Sequence, residues 1–279
     1  MILLIWLELQ KMFKKWRTYI GFIAIGFLVL IVQLALYFTG QNMIDFQTRS
    51  IQQSFVMIGN LLNGYFIARL ILSFLIIHIP FLIVLVGADL LAGEATAGTY
   101  RMLLTRPVSR LKIVSAKFLS GWLYVIFLLG FLAFLSLGVG SIIFGTGPLI
   151  SFGGGRIVIF AQNDILWRFL AAYAFAALSM LTVISFSIFF SAFVENAIGP
   201  IAATMALIII LLILSVIPVD LFQTIKPYFF TSHMSRWDGF FSDPIDYSDI
   251  FDSVVVLVAH IAALFGITSY IFIKKDILS

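Results

Sequence analysis

The chain has 279 residues, of which 62% are hydrophobic and 11% are charged, and its formal net charge at pH 7 is +4. Soluble domains are about 45–50% apolar and about 25% charged, so this composition excludes a water-soluble globular protein and a disordered one. The absence of cysteine excludes disulfides, thiolate metal sites and a cysteine nucleophile. The three histidines are far apart, so neither a metal site nor a catalytic residue is predicted. The composition indicates an integral membrane protein.

The first predicted element is an amphipathic helix in residues 1–17. Apolar residues recur there at three- and four-residue steps, whereas Glu8, Lys11 and Lys15 share the opposite face. Such a basic helix is expected to lie in the membrane interface, with its tryptophans at the depth of the lipid headgroups. The residues leave open whether it has a mechanical role or only sets the topology.

Six segments are long and apolar enough to cross a bilayer as helices, which takes roughly 20 predominantly apolar residues. The predicted spans are Tyr19–Phe38, Phe66–Ala88, Phe118–Phe144, Phe169–Phe190, Pro200–Ile217 and Phe251–Ile273. The predicted fold is therefore an all-α integral membrane protein, with residues 1–279 forming a single transmembrane domain.

Basic residues are distributed unevenly between the two sides of these spans. Of the 17 lysines and arginines, eleven fall on one side: Lys11, Lys14, Lys15, Arg17, Arg101, Arg106, Arg110, Lys112, Lys117, Lys274 and Lys275. Because cytoplasmic loops carry the excess of Lys and Arg, both termini are expected in the cytoplasm. The positive charge follows this topology, so a nucleic-acid partner is not expected.

Few polar side chains lie within the spans. For His78 and His260, a neutral imidazole bonded to a neighbouring helix is favoured over a proton or ligand role, and Gln33 is expected to join two helices. Small residues four apart in the fourth span, Ala172 and Ala176, indicate close helix packing, with a hydroxyl-lined substrate path as the alternative. The spans hold no chain of carboxylates, which counts against a proton- or sodium-driven transporter.

The long cytoplasmic segment between the second and third spans is residues 89–117. Two short helices are predicted in it, Leu90–Leu104 and one starting at Ser109, because Pro107 disfavours a helical residue before it and Ser109 can cap a helix. Glu94 either caps or pairs locally or is a solvated helix charge. The residues alone leave open a protein-docking loop and a plain topology signal.

The loop contains an ordered set of residues: Glu94, Gly98-Thr99, Leu103-Leu104, Pro107, Ser109-Arg110, Ile113 and Lys117. This set resembles the signature of the ABC transporter type-2 permeases. The version is the one found in bacitracin-resistance, sodium-efflux and nitrous-oxide-reductase-maturation permeases. The resemblance covers most of the chain, and it departs from the family at Ala97, where many relatives carry an acidic residue.

The resemblance implies that the loop is a coupling helix that docks into a groove on a separate ATPase subunit. Leu103 and Leu104 would be its apolar anchors. The remaining implied docking residues are Glu94, Gly98, Thr99, Arg101, Arg106, Pro107, Arg110 and Lys117. This chain has no Gly-x-x-x-x-Gly-Lys-Ser/Thr motif, so ATP and Mg²⁺ are expected on the partner and no cofactor is expected in this chain.

The function predicted is the permease subunit of an ATP-driven ABC exporter, and the chain itself is not predicted to be an enzyme. The implied assembly has two permease copies and two ATPase subunits in a prokaryotic plasma membrane. One alternative is a non-ABC membrane protein, such as a secondary transporter or an assembly scaffold. The other is an ABC complex with a mechanical or sensory role and no soluble substrate. The sequence does not indicate the substrate.

Overall fold

The computed structural model of the chain describes residues 1–52, 61–98, 108–153 and 156–274. The α-helices there are α1 Ile2–Phe13, α2 Trp16–Gln52, α3 Gly64–Leu75, α4 Ile79–Gly87, α5 Ala92–Thr96, α6 Arg110–Ala133, α7 Gly140–Phe144, α8 Gln162–Ser191, α9 Ile198–Val216, α10 Asp220–Ile225, α11 Phe230–His233 and α12 Tyr247–Lys274. A π-helix, Phe134–Val139, joins α6 to α7, and two 3-10 helices occupy Lys226–Tyr228 and Arg236–Phe241. The predicted all-α class is confirmed.

The helices cover all six predicted spans. Five described units are long and apolar enough to cross a membrane: α2, the α6–α7 unit, α8, α9 and α12. Helices α3 and α4 meet the same criterion together, across a bend of 55°. Pro80, in the first turn of α4, accounts for the bend, because proline lacks the N–H that a continuous helix needs and its ring clashes with the preceding turn.

Helix α8 lies at the centre of the bundle. Its most apolar window is 61% buried, against 17–28% for the other four long units. Ala172, Ala176 and Ser179 are fully buried on it, and such small side chains let neighbouring backbones approach closely. Helices α4, α6, α9 and α12 all pack against α8. The packing interpretation of this span is therefore confirmed.

Local sequence signals explain where two of the helices begin. The Oδ1 atom of Asn63 accepts hydrogen bonds of 3.1 Å from the N–H groups of Tyr65 and Phe66, which starts α3. Ser109 caps α6, as predicted, by accepting a 3.4 Å bond from the N–H of Lys112. The helix that it starts is the third span itself, and not a separate short helix.

The polar residues inside the spans divide into two groups. Gln33 donates a 2.9 Å hydrogen bond to the carbonyl of Leu135 in the π-helix, which confirms its predicted role between helices. For the two histidines the predicted bond to a neighbouring helix is wrong. The Nδ1 atoms of His78 and His260 lie 2.7 and 2.8 Å from carbonyls of the residues four positions earlier, Phe74 and Val256.

The bend between α3 and α4 explains the bond that His78 makes. Its backbone N–H bonds to Leu75, and not to Phe74 as it would in a continuous helix. The imidazole takes the place of that N–H at the carbonyl of Phe74, which the break would otherwise leave unsatisfied inside an apolar span.

The two ends of the bundle differ in content. The end that holds α1, α5, the start of α6 and the last turn of α12 is called the basic end here. The other, the hairpin end, carries an antiparallel β-hairpin, β1 Leu149–Gly153 and β2 Arg156–Phe160, which the sequence did not predict. The Oγ atom of Ser151 in β1 donates to the carbonyl of Phe241, which attaches the hairpin to the segment between α9 and α12.

Candidate functional site

Four charged side chains form one buried group at the basic end, called the four-residue cluster here. Glu8 and Lys11 come from α1, Glu94 from α5 and Lys117 from α6. The Nζ atom of Lys117 lies 2.8 Å from Glu8 and 3.3 Å from Glu94, and the Nζ atom of Lys11 lies 3.0 Å from each of the same two carboxylates. Each ammonium therefore contacts both carboxylates, and the charges of the cluster cancel.

These ion pairs are buried, so each charge depends on its partner more strongly than in a surface ion pair. Lys117 is 1% exposed, and Glu8 and Glu94 are each 8% exposed. Isolated charges at such depth would be strongly unfavourable, whereas paired and hydrogen-bonded ones are tolerated. Lys11 is at the solvent-exposed edge of the cluster. Desolvation lowers the pKa of its ammonium, but Glu8 and Glu94 outweigh desolvation and hold this pKa above its ordinary value.

A second ionic contact lies beside the cluster. Asp89, at the junction between α4 and α5, accepts bonds of 2.6 Å from Lys15 and 3.3 Å from Arg17. These two cations belong to the turn between α1 and α2 and to the first turn of α2. The first part of the loop, residues 89–98, is called the loop base here. It therefore contacts the N-terminal part of the chain at two points, through Glu94 and through Asp89.

Helix α8 holds α5 from another side. The hydroxyl of Ser191, the last residue of α8, accepts the N–H groups of Ala92 at 2.7 Å and Leu91 at 3.3 Å, and donates to the carbonyl of Ala88 at 2.7 Å. It satisfies N–H groups that the start of a helix leaves without a partner in the helix. The hydroxyl of Thr96, in the last turn of α5, donates to the carbonyl of Glu195. Side chains or carbonyls from α1, α6, α8 and the turn after α8 therefore hold α5.

Within the described part of the predicted helix Leu90–Leu104, the structure has α5, Ala92–Thr96. Helix α5 ends there because Gly98 has a φ of +65°, a left-handed conformation that glycine adopts without strain. Six predicted docking residues lie outside the described residues: Thr99, Arg101, Leu103, Leu104, Arg106 and Pro107. Their role as docking residues stays a prediction.

Three further predicted docking residues have partners within the chain. Glu94 is bound in the four-residue cluster, so of the two readings of this residue, local pairing is confirmed. Lys117 is buried, and its ammonium pairs with Glu8 and Glu94. Arg110 donates to the carbonyls of Phe272 and Ile273 at 3.4 and 2.9 Å, and so caps the end of α12. These three side chains have partners within the chain at the two ends of the loop, and their role in docking stays a prediction.

Sequence reasoning missed Glu8, Lys11, Asp89 and Ser191 as site residues. One signal was available, since Glu8 is the only carboxylate among the first 44 residues of the chain. A lone acid three positions before a lysine also fits an ordinary surface pair, and the sequence pattern placed Glu8 only on the charged face of an amphipathic helix. In the described part of the chain, no group of three His, Asp or Glu side chains could hold a metal ion.

A comparison with family models finds a match over nearly the whole chain. The model of the ABC-2 family transporter proteins matches residues 2–277. The chain belongs to the ABC-2 transporter permease family. It is a multi-pass membrane protein, and family members are non-catalytic transmembrane subunits that pair with an ABC ATPase subunit. A search of the curated proteins finds no match for this permease.

Proposed function

We propose that this permease is the membrane subunit of an ATP-driven exporter in a prokaryotic plasma membrane. Two copies pair with two copies of a separate ATPase subunit, which binds ATP and Mg²⁺. The hydrolysis that this partner performs drives a substrate outward through the permease dimer. The support is the way in which the loop base is held at the basic end.

The basic end is the cytoplasmic side in this proposal, with both chain termini there. The cations of α1, the loop and the end of α12 belong to this end, as cytoplasmic segments of membrane proteins require. Asp220, Asp246 and Asp249, by contrast, belong to the segment between α9 and α12 or to the first turn of α12. An ATPase in the cytoplasm then meets residues 99–107 directly.

The four-residue cluster carries the proposal because it gives the loop a mechanical connection to the bundle. A displacement of the loop reaches α5 first, since α5 ends two residues before Gly98. Glu94 passes it to α6 through Lys117 and to α1 through Lys11. Ser191 passes it to α8, the helix against which α4, α6, α9 and α12 pack. A loop with only a topological role needs none of these buried bonds.

Leu103 and Leu104 supply the proposed anchor on the ATPase. Docking energy concentrates in a few buried apolar residues, and truncating such a residue costs about 2 kcal/mol or more. Carboxylates at these positions would add a desolvation penalty. Arg101 and Arg106 lie at the rim in this proposal, where solvent-screened pairs contribute less than about 1 kcal/mol each.

The test is co-purification of an affinity-tagged permease from its native host, with identification of the bound proteins by mass spectrometry. A P-loop ATPase is expected in the complex, and the permease alone is expected to hydrolyse no ATP. The double variant Leu103→Asp/Leu104→Asp should lose the ATPase or uncouple hydrolysis from transport. Reversing the charges of Arg101 and Arg106 is the matched control and should have a smaller effect. A double Asp variant that still binds the ATPase and transports normally would contradict the proposal.

A further inference from the structure

Helix α1 turns its charged face inward and its apolar face outward. Glu8 and Met12 are buried against the bundle, whereas Ile2, Leu3 and Trp6 are 85%, 69% and 57% exposed. Trp16, at the start of α2, is exposed as well. The sequence pattern predicted the amphipathic helix, but the bonds of Glu8 to Lys117 decide which face is available to a partner.

The charge of this surface is entirely positive. The only carboxylate in the first 44 residues is Glu8, and it is paired within the four-residue cluster. Lys14, Lys15 and Arg17 remain exposed beside the apolar face, and a single carboxylate from elsewhere, Asp89, faces two of them. Lys14 has no ionic partner in the described part of the chain. Two positive charges in this group are left uncompensated.

Chain connectivity fixes where this surface lies. Helix α1 ends at Phe13 and α2, the first membrane-spanning helix, begins at Trp16. A two-residue connection keeps α1 at the membrane surface. An exposed apolar face with tryptophans, flanked by cations and free of exposed acids, matches a bilayer surface that carries anionic headgroups.

We propose that α1 and the α1–α2 turn, residues 1–17, bind the anionic phospholipid surface, and that the four-residue cluster transmits this binding to α5. The apolar face inserts between lipids, and Lys14, Lys15 and Arg17 contact phosphate groups. Glu8 and Lys11 lie on α1 and pair with Glu94 and Lys117. The depth of α1 in the lipid therefore sets the position of Glu94 and Lys117. The proposed orientation decides only which leaflet supplies the lipid.

The test uses the full permease in lipid nanodiscs of phosphatidylcholine, with or without 30% phosphatidylglycerol, and needs no ATPase and no transport. Since the chain has no cysteine, a spin label at Leu3→Cys reports the depth of α1, and one at Ala97→Cys reports the mobility of the end of α5. Phosphatidylglycerol should deepen the first label and immobilise the second. Native mass spectrometry should show that Lys14→Gln weakens phosphatidylglycerol binding about fivefold. Lys226→Gln, the same charge change at the hairpin end, should leave binding unchanged.

A further variant tests the transmission. Glu8→Gln should keep the lipid-dependent depth of the label at Leu3→Cys but abolish the response of the label at Ala97→Cys. The proposal would be overturned if the depth of the first label and the mobility of the second were the same in both lipid mixtures. It would also be overturned if Lys14→Gln bound phosphatidylglycerol as tightly as the parent protein does. A label at Leu3→Cys that becomes protected only when a cytoplasmic protein is added would show that a protein, and not lipid, covers this face. Because ATP hydrolysis is not measured, failure here would leave the exporter proposal standing.

Discussion

The two ends of this permease hold their buried cations in different ways. At the basic end, Lys117 is held by the carboxylates of Glu8 and Glu94, whose side chains are only 10% exposed. At the hairpin end, Arg168 pairs with Asp164, whose side chain is 41% exposed, and Arg69 pairs with Asp238, which is 52% exposed. Lys117 and Arg168 are buried and Arg69 is partly buried, but the anions are buried at the basic end only.

Other groups compensate for the exposed carboxylates at the hairpin end. The guanidinium of Arg168 donates to the carbonyls of Phe240 at 2.8 Å and Ser242 at 3.3 Å, and lies 4.3 Å from the ring centre of Phe160. Neutral carbonyls and rings lose less than a carboxylate does when their cation is removed. The basic end is therefore interdependent, because each ion needs its partner, whereas the hairpin end is a set of separable contacts.

The largest effect is expected for Lys117→Met. The variant leaves two buried carboxylates with only Lys11 between them, and removing one partner of a buried pair costs about 3–5 kcal/mol. Chemical unfolding of the purified permease in detergent measures this loss. Neutralising both acids in the same chain, with Glu8→Gln and Glu94→Gln, should restore much of the stability. A single variant as stable as the parent protein would show that the cluster is hydrated and not interdependent.

A smaller loss, about 2–3 kcal/mol, is expected for Arg168→Met at the hairpin end. The variant removes two charge-assisted hydrogen bonds to carbonyls, two cation–π contacts and the ion pair with Asp164, but it strands no buried charge. The same unfolding measurement applies. Asp164→Asn, which changes only the exposed partner, should reduce the stability less than Arg168→Met does. Equal losses for Lys117→Met and Arg168→Met would remove the distinction between the two ends.

The contribution of Lys11 should depend on pH. Its pKa is raised in the folded protein, so the folded state binds the proton more tightly than the unfolded state does. Its stabilising effect is therefore fully present below the unfolded pKa, about 10.5, and is lost as the pH rises through the higher folded value. The difference in unfolding free energy between the parent protein and Lys11→Met should stay constant from pH 7 to about 10 and shrink above that. A difference that grows with pH would contradict the assignment.

The smallest effect is expected for Arg69→Gln. Its ion pair with Asp238 is solvent-exposed on the acidic side, and such pairs typically contribute less than about 1 kcal/mol. The free energy of unfolding should fall slightly, and most of the salt dependence that this ion pair gives it should be lost. A loss as large as that of Arg168→Met would indicate that the contact of Arg69 with the Phe241 ring, 5.2 Å from its centre, carries more weight than the ion pair.

Much of the fold was predictable because membrane spans are encoded locally. All six apolar segments became helices or a bent helix pair, and the cap at Ser109 follows from one side chain and its own backbone. The hairpin Leu149–Phe160 was not predicted, since it is short and is stabilised by a distant contact with Phe241. His78 was misassigned because the break between α3 and α4 frees a carbonyl only once the helix is bent, whereas His260 bonds to Val256 within the continuous α12.

The sequence by itself determined the membrane class, the six apolar helical segments, the uneven distribution of charge and the family resemblance of residues 94–117. These depend on composition and on residues near one another in the chain. Only the tertiary structure decided that Lys117 is a buried partner of Glu8, 109 positions away, and that Glu94 joins the same cluster. An ion pair depends on the distance between two charges and on the water excluded around them. Both quantities arise when α1, α5 and α6 pack together, so no local pattern in the sequence reports them.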